Sequence, residues 1–340
     1  MPARCKGRPR RGATTIWGLK KEIAMNVLVT GGAGFIGSHL VERLLDEGHG
    51  IVCLDNFDDF YEPALKRRNL ARASRNPAFD LVEGDLRDEE LLGQIFEKEK
   101  IDWVAHLAAR AGVRPSLQNP ALYADVNIRG TICLLEACRQ HGVGRFIFAS
   151  SSSVYGNSSQ VPFSEDDPVN HPISPYAATK KGGELLCHTY HHLYGMDIAC
   201  LRYFTVYGPR QRPEMAIHHF TRSILEGRKI SLFGDGSSRR DYTYVEDIIE
   251  GTLGAFSREH GFQIYNLGES QTISLSELIR EIEGQAGKKA ILEYLPEQPG
   301  DVNQTYADIR KAKEMLGYNP RTKVREGLAR FVQWYLEGKK

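Results

Sequence analysis

Apolar residues along this chain fall into short runs that alternate with stretches of helical spacing. Val27, Leu28 and Val29 form the first run and end at a cluster of glycines, which predicts a buried parallel strand. Ile36, Leu40, Val41, Leu44 and Leu45 then recur at helical spacing. Further strands are predicted at 51–54, 79–82, 103–107, 145–149 and 198–203, and helices at 89–97, 120–140 and 175–194. Strict alternation of this kind predicts the α/β class, with a Rossmann-type, doubly wound parallel sheet. Ligands of such sheets bind at the carboxyl ends of the strands, which here read Gly31, Asp55, Asp85, Ala108–Ala109, Ser150 and Tyr203.

After about residue 205 the alternation lapses. Turn signals cluster at 207–213, 233–238 and 296–301, and helical patterns recur at 214–226, 245–257, 274–285 and 324–337. The expected organisation is a main domain over 25–205 and a smaller C-terminal substrate-binding lobe over 206–340, with some elements returning to the main domain. Residues 1–24 are basic and lack both apolar periodicity and the long apolar core of a signal peptide. They are expected to be a disordered basic extension whose removal leaves activity intact.

Composition narrows the class of partner. A net charge of +1 gives no reason to expect a nucleic acid or another polyanion. No apolar run approaches the length of a membrane span. Six cysteines occur without a CxxC pair, and several sit in apolar runs. Reduced, buried thiols in a cytoplasmic protein are expected, and neither a disulfide frame nor a metal site.

The glycines carry the first chemistry. Gly31, Gly34 and Gly37 follow a strand and open a helix, the order of a dinucleotide-binding turn. The first glycine allows the turn, the second lets backbone approach a pyrophosphate, and the third lets helix pack on strand. The helix N-terminus presents N–H groups to the phosphates. The alternative is a glycine-rich turn without a ligand. Asp55 ends the next strand, placed to bind the adenosine ribose hydroxyls, and its charge repels a 2′-phosphate. NAD is therefore expected over NADP. Lys66, Arg67 and Arg68 follow downstream and are assigned to a solvated helix face.

Tyr176 and Lys180 stand four residues apart, on one face of the predicted helix. A neighbouring ammonium stabilises a phenolate, so the tyrosine pKa is expected to fall. The strand before that helix ends in Ser150, Ser151, Ser152 and Ser153, and a hydroxyl there can relay a proton to Tyr176.

Taken together, these segments resemble an extended short-chain dehydrogenase/reductase of the nucleotide-sugar epimerase branch. The matching pieces are TGGAGFIGSHL at 30–40, LDN at 54–56, GD at 84–85, HLAA at 106–109, Asn127, SSSSVYG at 150–156, SPYAATK at 174–180, LRYFTVYGPRQRP at 201–213 and RRDYTYVED at 239–247. The resemblance implies a catalytic tetrad of Asn127, Ser151, Tyr176 and Lys180. With the strand ends, it places cofactor contacts at Gly31, Gly34, Phe35, Ile36, Gly37, Asp55, Asn56, Asp85, Leu86, Leu107, Ala108, Ala109, Asn127, Ser150, Tyr176, Lys180 and Tyr203. It assigns the substrate to Ser151, Ser152, Ser153, Thr205, Arg212, Arg240 and Asp301, with Arg240 on a diphosphate and Asp301 near the ribose or uracil.

The implied reaction is NAD-dependent 4-epimerisation of a UDP-sugar through a transient 4-keto sugar. A 4,6-dehydratase would carry an Asp-Glu pair where Ser152 and Ser153 stand, so the acid and base for eliminating water are missing. The stretches at 55–70, 205–220 and 298–302 resemble UDP-glucuronate 4-epimerases, in which Thr205 and Arg212 would meet the sugar carboxylate. UDP-glucose/UDP-galactose epimerisation is the first alternative and UDP-glucuronate decarboxylation the second. The family resemblance also implies a homodimer through helices near 118–140 and 175–194.

Overall fold

In the computed structural model, residues 24–296 and 304–338 are described. Residues 1–23, Asp301 and the rest of the 298–301 turn therefore lie outside the described residues.

Seven parallel strands form the central sheet. In chain order they are β1 (Asn26–Thr30), β2 (Gly50–Asp55), β3 (Phe79–Glu83), β4 (Trp103–His106), β5 (Arg145–Ser151), β6 (Asp197–Tyr203) and β7 (Phe262–Leu267). Their spatial order is β7-β6-β5-β4-β1-β2-β3. The winding direction reverses between β1 and β4, which is where a doubly wound sheet opens a crevice. Val27, Leu28 and Val29 are fully buried, because helices cover both faces of a parallel sheet. The edge strand β3 is largely exposed.

β7 comes from beyond residue 205 and pairs with β6 from Phe262–Ile198 to Leu267–Tyr203. One apolar core joins Val27 and Leu40 to Ile230, Tyr265 and Phe331, so packing is continuous across the lapse in the sequence pattern. The helices Pro175–Tyr194 and Val324–Glu337 have the predicted bounds.

The predicted helix over 120–140 is interrupted. It runs as Pro120–Ala124, a wider π turn over Asp125–Arg129, and Gly130–Gln140. The periodicity carried no sign of this break, because a single π turn leaves the apolar stripe nearly intact. The turn is held by side chains: Arg87 pairs with Asp125, and the Thr131 hydroxyl donates to the Asn127 carbonyl at 2.6 Å. The five described cysteines are free and buried. Among the described residues no helix is long and apolar enough to cross a membrane.

Candidate active site

Gly31 has a left-handed φ of 70°, and a Cβ there would stand 2.7 Å from the Ala108 nitrogen at the end of β4. A Cβ on Gly37 would stand 2.2 Å from the Gly31 carbonyl oxygen. The turn therefore closes only with glycine at both places. Gly34 lines the crevice, and an added Cβ there meets only Gly31 O, at 3.1 Å. It caps the helix Phe35–Asp46, whose first turn carries neither a side-chain cap nor an acidic residue. The first turn thus offers N–H groups suited to an anion, with no side-chain cap or acidic residue of its own at that end.

A cavity of about 420 Å³ fills the crevice. Of the cofactor contacts expected from sequence, all but Asn127 line it. So do Ser151, Ser152, Ser153, Thr205 and Arg212 from the expected substrate set. Arg240 does not line it; its Nη1 donates to the Arg239 carbonyl at 3.0 Å.

Asp55 does more than end a strand. Its Oδ2 accepts from Ala33 N at 3.1 Å and its Oδ1 from Phe57 N at 2.9 Å, so it pins the glycine turn to β2. Burial raises its pKa, with Lys66 opposing. The solvated-face assignment of Lys66 is corrected here. Its side chain is buried, its Nζ donates to the Asp58 carbonyl at 2.8 Å, and it lies 4.0 Å from Asp55 Oδ1. The helix Pro63–Asn69 is under two turns long, and its apolar content is too small for periodicity to show which face turns inward. Arg67 is exposed and pairs with Glu83. At the end of β3, Arg87 grips Asp85 with two hydrogen bonds of 2.8 Å and Asn56 adds a third at 3.0 Å. The Arg87 hydrogen bonds hold that carboxyl well below the usual range.

Tyr176 enters the cavity from the first turn of its helix, where Ser174 caps Ala177 N at 3.1 Å and Pro175 occupies the first helical position. Burial of the phenol raises its pKa; a hydrogen bond with Ser151 and the charge of Arg212 act against it. The lowering expected from the Tyr176–Lys180 spacing is thus reversed. Lys180 spends its ammonium on the Ala149 carbonyl, 2.6 Å away, and burial pushes its pKa down to about 8. Helix spacing set the face the two side chains share, whereas burial and the end of β5 decided where the ammonium points.

The serines diverge. Ser150 donates to the buried Glu184 at 2.6 Å. Ser151 donates to Ser153 Oγ at 3.1 Å and accepts from Ser153 N at 3.2 Å. Asn127 lies outside the cavity: Oδ1 accepts from Arg110 N at 2.8 Å, and Nδ2 donates to Arg110 O and to Thr179 Oγ1, both at 3.0 Å. It fixes the backbone of the 107–112 segment, which lines the cavity, so its geometry is that of a positioning residue.

Sequence reasoning missed the outer wall. Asp58, Phe60, Tyr61, Arg110 and Met215 also line the cavity. The guanidinium carbons of Arg110 and Arg212 lie 5.4 and 5.5 Å from the centre of the Phe60 ring. Arg110 pairs with Asp58, and Arg212 Nε lies 3.0 Å from Glu214. Three aromatic residues, Phe57, Phe60 and Tyr61, in an otherwise polar loop just after Asp55 were the available signal.

A doubly wound sheet with a glycine turn at its switch point, and a tyrosine–lysine helix beside it, defines the short-chain dehydrogenase/reductase class. Within that class, the chain belongs to the GDP-mannose 4,6 dehydratase family, whose model matches residues 28–331. It is 48% identical to a UDP-glucuronate 4-epimerase of Thermodesulfobacterium geofontis, over 91% of this chain and 96% of that protein. The crystal structure of UDP-glucuronic acid 4-epimerase from Bacillus cereus with UDP-glucuronic acid and NAD superposes with a TM-score of 0.87. That pair is 39% identical, covering 92% of this chain and 99% of the other. A Thermotoga maritima UDP-glucose 4-epimerase with UDP-glucose gives 0.86 at 36% identity, covering 93% and 100%.

Proposed function

We propose that this protein is an NAD-dependent 4-epimerase that interconverts UDP-glucuronate and UDP-galacturonate. The observation that carries this reading is Arg212 in one cavity with Tyr176, Ser151 and the uncapped glycine turn. The uncapped helix start and the Gly31–Gly34–Gly37 cradle fit a pyrophosphate, and Asp55 and Asn56 at the end of β2 fit the adenosine side of NAD. NAD held there would supply reversible hydride transfer at carbon four of the sugar.

The residues of the chain supply the rest. Tyr176 takes the proton of the C4 hydroxyl and gives it back after the 4-keto sugar has turned. Ser151, which lines the same cavity as that phenol, holds the reacting oxygen and relays the proton. The positive field of Arg212 already reaches Tyr176 and favours its phenolate. Lys180 supports the site through the Ala149 carbonyl at the end of β5. Arg212 and Thr205 hold the sugar carboxylate, and that grip keeps a β-keto acid from losing carbon dioxide. Arg240 and Asp301 are assigned to the diphosphate and the uridine. Ser152 and Ser153 sit in a short 3₁₀ turn and offer no acid–base pair for dehydration.

The division of labour follows the lapse of alternation: residues 25–205 hold the cofactor, and much of 206–340 closes on the sugar nucleotide. Exposed Leu117, Ile132 and Leu185 on the helices near 118–140 and 175–194 support a homodimer through that face. Free, buried thiols support a reducing, cytoplasmic setting. A net charge of +1 supports a small-molecule substrate over a nucleic acid.

Separate incubation with UDP-glucuronate and with UDP-glucose, followed by separation of products, tests the reading. UDP-galacturonate from the first is the expected result. UDP-galactose alone would replace the uronate with a neutral sugar, and UDP-xylose would mean decarboxylation.

A further inference from the structure

A second cavity, also about 420 Å³, is lined by Arg210, Gln211 and Pro213 of the loop whose Arg212 lines the first. It has no place in the reaction described above. Arg68, Arg210 and His218 line it together with Tyr61, Trp334 and Tyr335, and no carboxylate does so among the described residues. Three of the residues that line it each hold a buried side-chain atom without a hydrogen-bond partner: Tyr61 Oη, Arg210 Nη1 and His218 Nδ1. Only two other buried side-chain atoms among the described residues share that condition. Such atoms are costly unless something pairs with them.

The geometry is specific. Arg210 lines the cavity with its guanidinium oriented by Glu42, to which its Nη2 donates at 2.8 Å. Its backbone is left-handed, with φ of 67°, a conformation a non-glycine residue adopts at a cost. His218 is 8% exposed and sits among rings, its own centre 6.2 Å from Trp334 and 5.3 Å from Tyr335. Arg68 rides on the exposed side of the helix Pro63–Asn69 and stands at the mouth, beside Gly338.

We propose that this cavity is a second ligand site for a nucleotide, with its phosphate on Arg68 and Arg210 and its base along Trp334 and Tyr335. Guanidinium donors match phosphate oxygens, and flat rings match a base. The volume is within the range of small-molecule sites. The site is coupled to the first cavity, because Tyr61 lines both, and Arg210 and Pro213 flank Arg212 in the chain. A nucleotide there acts on the loop that carries the carboxylate-binding arginine, and so changes the KM for the sugar substrate.

Trp334 is the reporter. The full-length protein is titrated with UMP, AMP, uridine and inorganic phosphate while its tryptophan fluorescence is followed. Saturable quenching by UMP or AMP is expected, with the stronger of the two identifying the base. Trp334→Phe should remove that signal. Arg68→Ala, a change at an exposed side chain, should weaken nucleotide binding about tenfold while leaving kcat unchanged. Arg210→Ala should do the same, and Arg68→Lys should restore part of the loss. The proposal is overturned if phosphate alone binds as tightly as both nucleotides, if Arg68→Ala binds them like the parent protein, or if no titrant is bound. None of these readouts depends on which sugar the enzyme turns over.

Discussion

Asn127 pairs with the backbone of Arg110 as a strand would, accepting from its N–H at 2.8 Å and donating to its carbonyl at 3.0 Å. A side-chain amide thereby closes the 107–112 segment onto the π turn of a helix. Asn127→Ala leaves a partly buried N–H without a partner, which costs about 1–3 kcal/mol. Asn127→Asp keeps the acceptor but sets a carboxylate against the Arg110 carbonyl. Both variants should lose about tenfold in kcat with a smaller change in substrate KM, read from steady-state kinetics. A loss confined to thermal stability would leave Asn127 with a structural role only.

Tyr176 lines the first cavity beside Ser151, and the proposed reaction gives its phenol the proton transfer. Tyr176→Phe should cut turnover by about 10²–10⁴-fold while NAD remains bound. Product analysis and the absorbance of the purified protein check the two halves separately.

Arg212 shares its guanidinium between Glu214 and the cavity. If it grips a carboxylate, Arg212→Ala should lower kcat/KM for the uronate by about 10–100-fold, the worth of a charge-assisted hydrogen bond. The loss for UDP-glucose should be much smaller. Equal losses on both substrates would remove the carboxylate from its role.

Behind the serines lies a buried ion pair. Arg202 meets Glu184 through two hydrogen bonds of 2.8 and 2.9 Å, with both side chains 1% exposed. Glu184 also accepts from Ser150. Glu184→Leu strands the guanidinium and should cost about 3–5 kcal/mol in denaturant unfolding. The double change Glu184→Leu with Arg202→Leu should recover much of that, because no lone buried charge remains.

His106 contributes a pH dependence to stability, in the same direction as His39 and His218. The Thr131 hydroxyl donates to Asn127 O, so at 3.0 Å it accepts from His106 Nε2; Thr30 accepts from Ala108 N and donates to Nδ1 at 2.8 Å. Both ring nitrogens are therefore used by a neutral imidazole, and burial pushes its pKa down to about 3. At His106 the folded state binds its proton less readily than the unfolded one below pH 6.5. The contribution of this residue to stability is thus complete above that value and is lost as pH drops toward 3, by up to about 5 kcal/mol. His106→Gln should flatten that part of the curve in urea unfolding measured at several pH values.

What the sequence determined by itself was the path of the chain and most of the residues that line the crevice. Runs of Val, Leu and Ile at strand length, alternating with helical spacing, leave few topologies other than a doubly wound sheet, and its strand ends then mark the crevice. Gly31 and Gly37 were legible because the backbones they admit exclude any side chain. Tertiary structure decided what depends on direction and burial. It turned Lys66 inward against Asp55, opened the π turn that aims Asn127 at Arg110, and sent the Lys180 ammonium to Ala149. It also raised the Tyr176 pKa where spacing had implied the reverse. Periodicity reports which face of an element is apolar; desolvation and hydrogen-bond partners come from residues far away in the chain, and they set both the protonation and the aim of each polar group.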